Sequence, residues 1–402
     1  MTSMDTAISR RRNGAAKADS GRSTGNVTRR IFDFAGLRVS VSGSEPRALA
    51  WLTEFLCPNF TVAEDTAADC AIVVTTNPRR YAELHSRNGG GRREIDCFAR
   101  DTGTIRLPVW KNGAGASVVH DERFKVVFLF GDGGRDIEIA AAAATPQLRI
   151  SLMRAVRELA MNYACARGYL MIHGAALSCR GRGIACVGPK SAGKTTFLMA
   201  ALTTPESAFI ANDRIAVHDE FGHLSALGLP TIVAIRRSTL SGHPDFAKGL
   251  RDRSFRQSLS LSEVLAADPP PPDRATTDRI SISPAQFCHL LGSTRAAATS
   301  LSALVFPKVD PTVPRSALTP VVAPLAAERV RAGLLHATQR AGMVTIFSDL
   351  VSMLDVQAHT PEMDCDRLVT LVPCYDCVIG TDILNDPARA QDLIEAMLGA
   401  AP

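Results

Sequence analysis

The sequence lacks any run of eighteen apolar residues, the length that a membrane-spanning helix needs. Its first thirty residues also lack the apolar core of a secretory signal. These two absences predict a cytoplasmic protein without a membrane partner. A content of 46% hydrophobic and 21% charged residues is ordinary for a soluble globular chain with a large core.

The excess of basic over acidic residues is confined to the amino-terminal segment. The net charge of +5 falls largely on the first thirty residues, whose basic side chains are Arg10, Arg11, Arg12, Lys17, Arg22, Arg29 and Arg30. No aromatic residue is interleaved with them, so the segment lacks the rings on which nucleic-acid bases stack. We therefore expect residues 1–29 to form a disordered basic leader, and we expect no nucleic-acid partner.

Paired cysteine motifs of the zinc-binding kind are also missing. Ten cysteines are scattered along the chain, and a cytoplasmic protein is not expected to join them in disulfides. The Cys-x-x-Cys sequence formed by Cys374 and Cys377 has only Cys365 nearby, whereas a zinc site would need a second pair. We interpret these thiols as incidental, and a metal or redox role for Cys374 and Cys377 stays open as the alternative.

The first third of the chain predicts a small domain. Residues 30–145 alternate strand-like runs with Gly-rich turns and contain one helical stretch after Pro46, which predicts an α+β domain. No catalytic motif lies in it. His85 and His120 have no partner in the sequence pattern, so we expect them to be solvated.

The rest of the chain, residues 146–402, predicts a larger domain of alternating strands and helices. It begins with a long amphipathic helix at Pro146–Arg167. The pattern weakens around residues 240–280, which include four consecutive prolines, and this predicts a flexible insertion on the surface. Near the carboxyl end we expect a strand at Leu368–Val372 and a closing helix at Pro387–Leu398.

A glycine-rich loop is the strongest motif of the chain. Residues 188–195 read Gly-Pro-Lys-Ser-Ala-Gly-Lys-Thr and fit the pattern whose backbone N–H groups bind a polyphosphate. An apolar strand precedes the loop and a helix follows it, as this motif requires. Lys194 is predicted to contact the terminal phosphates and Thr195 to bind Mg²⁺. The predicted nucleotide-binding residues are Gly188, Pro189, Lys190, Ser191, Ala192, Gly193, Lys194, Thr195 and Thr196.

Two residues outside the loop extend the candidate site. Asp213 follows the predicted strand Ala208–Ala211, where a carboxylate can bind Mg²⁺, act as a catalytic base or serve only in a turn. His173 lies in an apolar strand expected beside the strand that enters the loop. Its imidazole is therefore expected near the terminal phosphate or Asp213, and a buried core histidine is the alternative.

Three further polar residues are candidate contacts to phosphate or to an anionic substrate. Arg236 and Arg237 end a predicted strand, and their guanidinium groups suit phosphate oxygens. Two adjacent arginines on a surface are also commonly solvated, so both interpretations stay open. Asn212 precedes Asp213 and is the third candidate.

These segments together resemble the kinase domain of the HPr kinase/phosphorylase superfamily. The resemblance lies in Ile-His-Gly-Ala-Ala-Leu at residues 172–177, in the loop segment 183–196 and in Phe-Ile-Ala-Asn-Asp-Arg at 209–214. It is specific over about residues 146–240. The N-terminal domain, the Pro-rich segment and the carboxyl-terminal part point to the divergent HPr-kinase-related proteins. It implies an α/β fold with a PEP-carboxykinase-like phosphate-loop kinase domain and a smaller α+β N-terminal domain.

The same resemblance implies catalytic roles for His173, Lys194 and Asp213, with ATP and Mg²⁺ as cofactors and Asp213 taking the acceptor's proton. One departure is Asn212, which stands where the family has the first acid of an Asp-Asp pair and removes a charge that helps to hold the cation. The family's later glycine-rich signature is also missing, so dephosphorylation by phosphate is not expected. The family tends to assemble, which makes a homo-oligomer a further expectation.

The predicted function is transfer of the γ-phosphoryl group of ATP to a serine or similar hydroxyl of a protein, peptide or small molecule. The alternative is an ATP-binding regulator or scaffold with little or no transfer, which Asn212 favours. A guanine-specific site is less well supported, because no Asn-Lys-x-Asp motif is present.

Overall fold

The computed structural model describes residues 28–399 except 65–66, 87–92, 101–102, 221, 251–278 and 336–362. It contains two mixed β-sheets of nine strands each and a two-stranded ribbon, with helices packed against them. The expected α/β class is therefore confirmed, whereas the PEP-carboxykinase-like arrangement stays a prediction. Most of the predicted leader lies outside the described residues, and its last two residues, Thr28 and Arg29, belong to the first strand.

The first sheet is built from residues 28–141. Its strands are β1 (Thr28–Phe34), β2 (Leu37–Gly43), β3 (Thr61–Ala63), β4 (Cys70–Thr76), β5 (Arg93–Arg100), β6 (Gly103–Lys111), β7 (Ser117–Asp121), β8 (Val126–Phe130) and β9 (Asp136–Ala141). They lie in the order β3-β1-β2-β4-β9-β8-β7-β6-β5, and only the pairs β2–β4 and β4–β9 are parallel. Two helices accompany them, α1 (Pro46–Leu56) and α2 (Pro78–Ser86).

Helix α3 (Pro146–Ala166) connects the two large sheets. Pro146 occupies its first turn, and the Thr145 side chain accepts a hydrogen bond from the Leu148 backbone N–H, so the predicted start is confirmed. Most of its residues are buried, because it packs on β2 and β8 and also on the first strand of the second sheet. Its apolar side chains share one core with Met171 and Ala216 of that sheet.

The second sheet places the glycine-rich loop. Its strands are β10 (Leu170–Cys179), β11 (Arg182–Val187), β12 (Ser207–Ala211), β13 (Arg214–Glu220), β14 (His223–Gly228), β17 (Thr294–Arg295), β18 (Ala298–Val309), β19 (Ala317–Pro320) and β20 (Cys374–Ile379), while β15 (Val233–Arg236) and β16 (Arg279–Ile282) form the ribbon. Strands β11, β18 and β20 run parallel. Their carboxyl ends therefore meet at one edge of the sheet, where the loop follows β11.

Seven helices and two 3-10 turns complete the described part of the second half. The helices are α4 (Lys194–Ala201), α5 (Pro244–Gly249), α6 (Pro284–Leu291), α7 (Ala323–Ala332), α8 (Cys365–Leu371), α9 (Thr381–Asn385) and α10 (Ala390–Gly399), and the turns are Arg237–Gly242 and Pro387–Arg389. Within the predicted flexible insertion, residues 240–242 belong to the first of these turns, 244–249 to α5 and 279–280 to β16, and residues 251–278 lie outside the described residues.

The strand predicted at Leu368–Val372 is wrong. Residues 368–371 fall in α8, and Val372 follows its end; the first turn is capped by Asp364, whose carboxylate accepts a hydrogen bond from the Arg367 backbone N–H. Cys365, Leu368 and Val369 are buried in one core at the i, i+3, i+4 spacing of a helical face. The strand of this region is β20, which the prediction missed.

Cys374 and Cys377 lie on opposite faces of β20, since side chains three residues apart in a strand point to different sides. Cys374 packs in one core and Cys377 in the other. Burial raises the pKa of Cys374 to about 11 and that of Cys377 to about 12. The two thiols therefore cannot act as a pair, and the interpretation of incidental core cysteines fits the structure.

Candidate functional site at the glycine-rich loop

The loop between β11 and α4 has the backbone form of an anion-binding turn. Ser191 and Gly193 have positive φ angles of 70° and 109°. Residues with left-handed backbone among right-handed neighbours turn successive N–H groups to one side. Gly193 also lies against β18, where an added Cβ would come within 2.8 Å of Val309 Cγ2. Because Gly193 caps α4 without a side chain, the first N–H groups of the helix are left for a bound anion.

Lys194 is held inside this loop. Its Nζ donates to the backbone oxygens of Gly188 at 2.7 Å and Pro189 at 3.0 Å, and the residue is 8% exposed. Burial lowers the pKa of Lys194, and the nearby carboxylate of Asp213 opposes that effect. The ammonium group is thus placed at the loop by weak neutral acceptors, which phosphate oxygens can replace.

His173 and Asp213 meet beside the loop. His173 Nδ1 lies 3.3 Å from Asp213 Oδ1, and the two side chains are 31% and 34% exposed. The pairing of strands explains the contact, because Gly174 lies opposite Val187 at the end of β11 while His173 lies opposite Arg214. The structure therefore contains the expected contact, and the partial exposure of His173 does not fit a core histidine. The catalytic roles of both residues stay predictions.

Both polar groups of the Asn212 side chain form hydrogen bonds within the protein. Its amide Nδ2 donates to the Ile232 backbone oxygen at 3.3 Å, and its Oδ1 accepts from the Thr231 hydroxyl at 3.1 Å. These two bonds fix the segment that leads into β15. An aspartate in this place could accept from Thr231 but could not donate to Ile232, which gives a structural reason for the amide.

Arg236, the last residue of β15, contacts the glycine-rich loop. Its Nη2 donates to Ser191 Oγ at 2.6 Å, although both residues are exposed. Arg237 follows as the first residue of a 3-10 turn and is also exposed. Of the two predicted arginines, the structure thus places Arg236 in contact with the glycine-rich loop.

Two buried arginines near Asp213 were not predicted. Arg214 Nε lies 3.4 Å from Asp213 Oδ2, and its side chain is 6% exposed. Arg157, on α3, is buried as well, and burial together with the charge of Arg214 lowers the pKa of Arg157 to about 9, with Glu158 and Asp213 acting in the opposite direction. A signal for Arg157 was present in the sequence, since Arg154 and Arg157 place charges three residues apart within a mostly apolar helix.

The donor set fits ATP with Mg²⁺. Within the described ranges, no group of three or more His, Cys, Asp or Glu side chains is placed to hold a metal ion. Nucleotide-bound Mg²⁺ does not require such a group, because it keeps waters and phosphate oxygens and takes one or two protein ligands. The Thr195 hydroxyl, in the first turn of α4, and the Asp213 carboxylate are oxygen donors of the right kind.

Comparison with known proteins gives little support for a family. No family model matches the chain, and no curated protein matches it. Among solved structures, the chain is similar to the HPr(Ser) kinase/phosphatase from Coxiella burnetii, with 9% sequence identity, a TM-score of 0.24 and coverage of 57% of this chain and 93% of that chain. A likeness of this strength carries no argument, so membership in the HPr kinase/phosphorylase superfamily stays a prediction.

No helix in the part of the chain that the structure describes is both long enough and apolar enough to span a membrane. Helix α3 has sufficient length, but it carries buried charges such as Arg154, Arg157 and Glu158. Cytoplasmic location stays a prediction.

Proposed function

We propose that this protein is an ATP-dependent phosphotransferase that moves the γ-phosphoryl group to a serine or similar hydroxyl of a protein, peptide or small molecule. The observation that supports it best is the His173–Asp213 contact, 3.3 Å long and partly exposed, beside the loop that holds Lys194. A carboxylate placed next to a phosphate-binding loop is what hydroxyl phosphorylation needs, because the reaction depends on positioning and on a base for the attacking oxygen.

In this proposal the loop N–H groups and Lys194 bind the β- and γ-phosphates. Mg²⁺ supplies neutralisation of the phosphate charge, with Thr195 and Asp213 as its protein donors. His173 contacts Oδ1 of Asp213 and Arg214 contacts Oδ2, which together hold the carboxylate in one orientation. Arg236 adds a positive charge on the outer side of the loop, next to Ser191.

The transfer step forms a bond between the acceptor oxygen and the γ-phosphorus and breaks the bond between that phosphorus and the β–γ bridging oxygen. The acceptor's proton passes to Asp213, and ADP leaves with the bridging oxygen. Asp213 then returns the proton to solvent. The loop and Lys194 stabilise the charge that develops on the leaving oxygen.

One observation favours a second candidate function, an ATP-binding regulator with little or no transfer. The residue before Asp213 is an uncharged asparagine whose amide is engaged with Thr231 and Ile232. It brings no second carboxylate to the cation. ATP would then order the loop and its neighbours without efficient chemistry.

Labelled ATP separates the two functions. The purified full chain is incubated with γ-labelled ATP, Mg²⁺ and a cell extract, and labelled products are identified by mass spectrometry, including proteins and peptides encoded next to this one. Transfer that disappears in both Lys194→Ala and Asp213→Ala, but persists in the exposed surface control Lys111→Ala, supports the phosphotransferase. ATP binding without transfer or hydrolysis supports the regulator.

A further inference from the structure

Asn59 connects the part of the chain that builds the first sheet with the strand that leads to Asp213. It lies between α1 and β3 and is 8% exposed. Its Nδ2 lies within hydrogen-bond distance of three backbone oxygens, those of Ile210 at 3.2 Å, Ala297 at 3.3 Å and Ala296 at 3.5 Å. Because an amide nitrogen carries two protons, these are shared among three acceptors. A buried side chain from beside the first sheet therefore holds the backbone of β12 and of the segment between β17 and β18.

Gly228, at the end of β14, leaves the space that this contact needs. A Cβ added to Gly228 would lie 2.1 Å from the Ile210 backbone oxygen and 2.5 Å from Asn59 Nδ2. The Gly228 N–H donates to the Ala297 backbone oxygen at 3.2 Å. Only glycine allows two backbone segments and an amide to approach so closely. The ends of β12 and β14 are therefore packed together around the Asn59 side chain.

The two segments that leave this contact enclose Asp213. Asp213 lies just after β12, the strand that contains Ile210. The segment after β14 returns to the same place, because the Leu229 N–H donates to the Arg214 backbone oxygen at 3.0 Å. A side-chain hydrogen bond of 3.1 Å joins the two segments a second time. The backbone that carries Asp213 is thus held on both sides by segments that Asn59 fixes.

We propose that Asn59 is a positioning residue for Asp213, through which the part of the chain around the first sheet fixes the candidate catalytic carboxylate. This inference rests on the proposed function, in which Asp213 takes the proton of the acceptor. Asn59 acts through the backbone at the ends of β12 and β14. A misplacement of about 1 Å at a reacting group can cost on the order of a hundredfold in rate, so this contact affects transfer as well as stability.

Histidine side-chain NMR of the full chain tests the position of Asp213 without requiring transfer. His173 Nδ1 lies 3.3 Å from Asp213 Oδ1, so the imidazole signal of His173 depends on the place of this carboxylate. His173→Gln assigns the signal, and Asp213→Asn gives the change that follows when the charged partner is lost. Asn59→Ala removes the donors to three buried carbonyls and should move the His173 signal in the same direction as Asp213→Asn does.

Arg295→Ala is the matched control. Arg295 Nη1 donates to the Glu54 backbone oxygen at 3.1 Å, a second contact between the same two parts of the chain. Its loss should lower the melting temperature and leave the His173 signal in place. Asn59→Ser keeps one shorter donor, so it should give a smaller displacement in the same direction, and it decides the test if Asn59→Ala does not fold. An unmoved His173 signal in a folded Asn59 variant, or an equal displacement in Arg295→Ala, would overturn the proposal.

Steady-state kinetics adds the functional measurement. Asn59→Ala should lower kcat by about tenfold and change the KM for ATP by about twofold or less, since the contact involves Asp213 rather than the Lys194 loop. Arg295→Ala should keep the kcat of the wild type, and equal losses in both variants would contradict the proposal. A chain in which Asn59→Ala moves the His173 signal but which phosphorylates no acceptor would refute the proposed function and leave the positioning of Asp213 by Asn59 standing.

Discussion

His120 in the first sheet and His173 in the second sheet lie in different environments. In the first sheet, His120 is 4% exposed, its Nε2 lies 3.1 Å from the Tyr81 hydroxyl, and its ring centroid is 4.5 Å from that of His85. In the second sheet, His173 lies at the edge with the loop, partly exposed and in contact with Asp213. The expectation that His120 is solvated is wrong, because α2 packs on β8 and β9 and covers it. His85 is exposed, as expected, but its ring contacts that of His120.

The difference shows how burial separates structural from ligand-binding polar groups. A buried polar side chain with protein partners contributes to the stability of the fold and has no free face for a ligand. His173 and Asp213 keep about a third of their surface in water, so a ligand can reach both side chains. Substitution of His173 or Asp213 should therefore change activity more than stability. Substitution of His120 should change stability more than activity.

Lys194→Ala should give the largest effect. The variant removes the positive charge at the leaving phosphate oxygens, and turnover of ATP should fall on the order of a hundredfold or more. The melting temperature should change little by comparison, because the lost bonds go to two loop carbonyls. Steady-state kinetics and thermal unfolding measure the two quantities. Unchanged turnover would rule out the assigned phosphate loop.

His173→Ala tests whether His173, unlike His120, serves activity more than stability. Loss of the imidazole frees one oxygen of Asp213, and phosphate transfer should fall on the order of tenfold, as for other groups that orient a functional side chain. Transfer rate and melting temperature are measured on the same preparation. A lower melting temperature with full transfer would place His173 with His120, as a structural residue.

Arg236→Ala should have a smaller effect, because its bond to Ser191 is exposed. The KM for ATP should rise by roughly fivefold or less, the range of surface charge interactions. Arg237→Ala is the matched control, since it removes the same charge one residue away. Equal changes in both variants would mean that net charge, rather than the contact with the loop, is responsible.

The smallest expected effect is that of His120, in the first sheet, on the pH dependence of the free energy of unfolding. Burial, and then the neighbouring His85, lower the pKa of His120, whereas Glu122 and Asp121 oppose that shift. The unfolded chain therefore binds a proton at higher pH than the folded chain does. The stability contributed by neutral His120 is complete above its ordinary pKa and is lost as pH falls below it.

Urea unfolding from about pH 7.5 to about pH 5.5 should consequently show a free energy of unfolding that decreases toward acid. His120→Gln keeps an amide near Tyr81 but cannot titrate, so its decrease should be shallower than that of the wild type. ATP affinity should be the same in both. Parallel curves for the two proteins would show that other groups cause the pH dependence.

The sequence predicted the parts of the molecule that depend on local pattern. Pro146 marks the start of α3, and the glycine spacing marks the loop, because these residues restrict the backbone by themselves. The contact of His173 with Asp213 followed from placing their strands beside the loop. For the helix start and the loop, one short stretch of chain carries the information.

The missed features depend on contacts between distant segments. Arg157 and Arg214 are 57 positions apart, since 214 − 157 = 57, and only the packing of α3 on the second sheet brings both near Asp213. The hydrogen bonds of Asn212 depend on Thr231 and Ile232, which lie 19 and 20 positions later in the sequence. The short apolar run at residues 368–372 suits either a buried strand or part of a helix, so tertiary packing decides between them.

The position of α3 has a consequence for how the molecule loses its structure. Its apolar side chains share a core with both large sheets, so neither sheet can open without exposing part of this helix to water. We expect one cooperative unfolding transition, with the amides of α3 among the slowest to exchange with deuterium. A fragment that begins at Pro146 would carry an uncovered apolar helix face, so the fold around the glycine-rich loop depends on the first sheet as well.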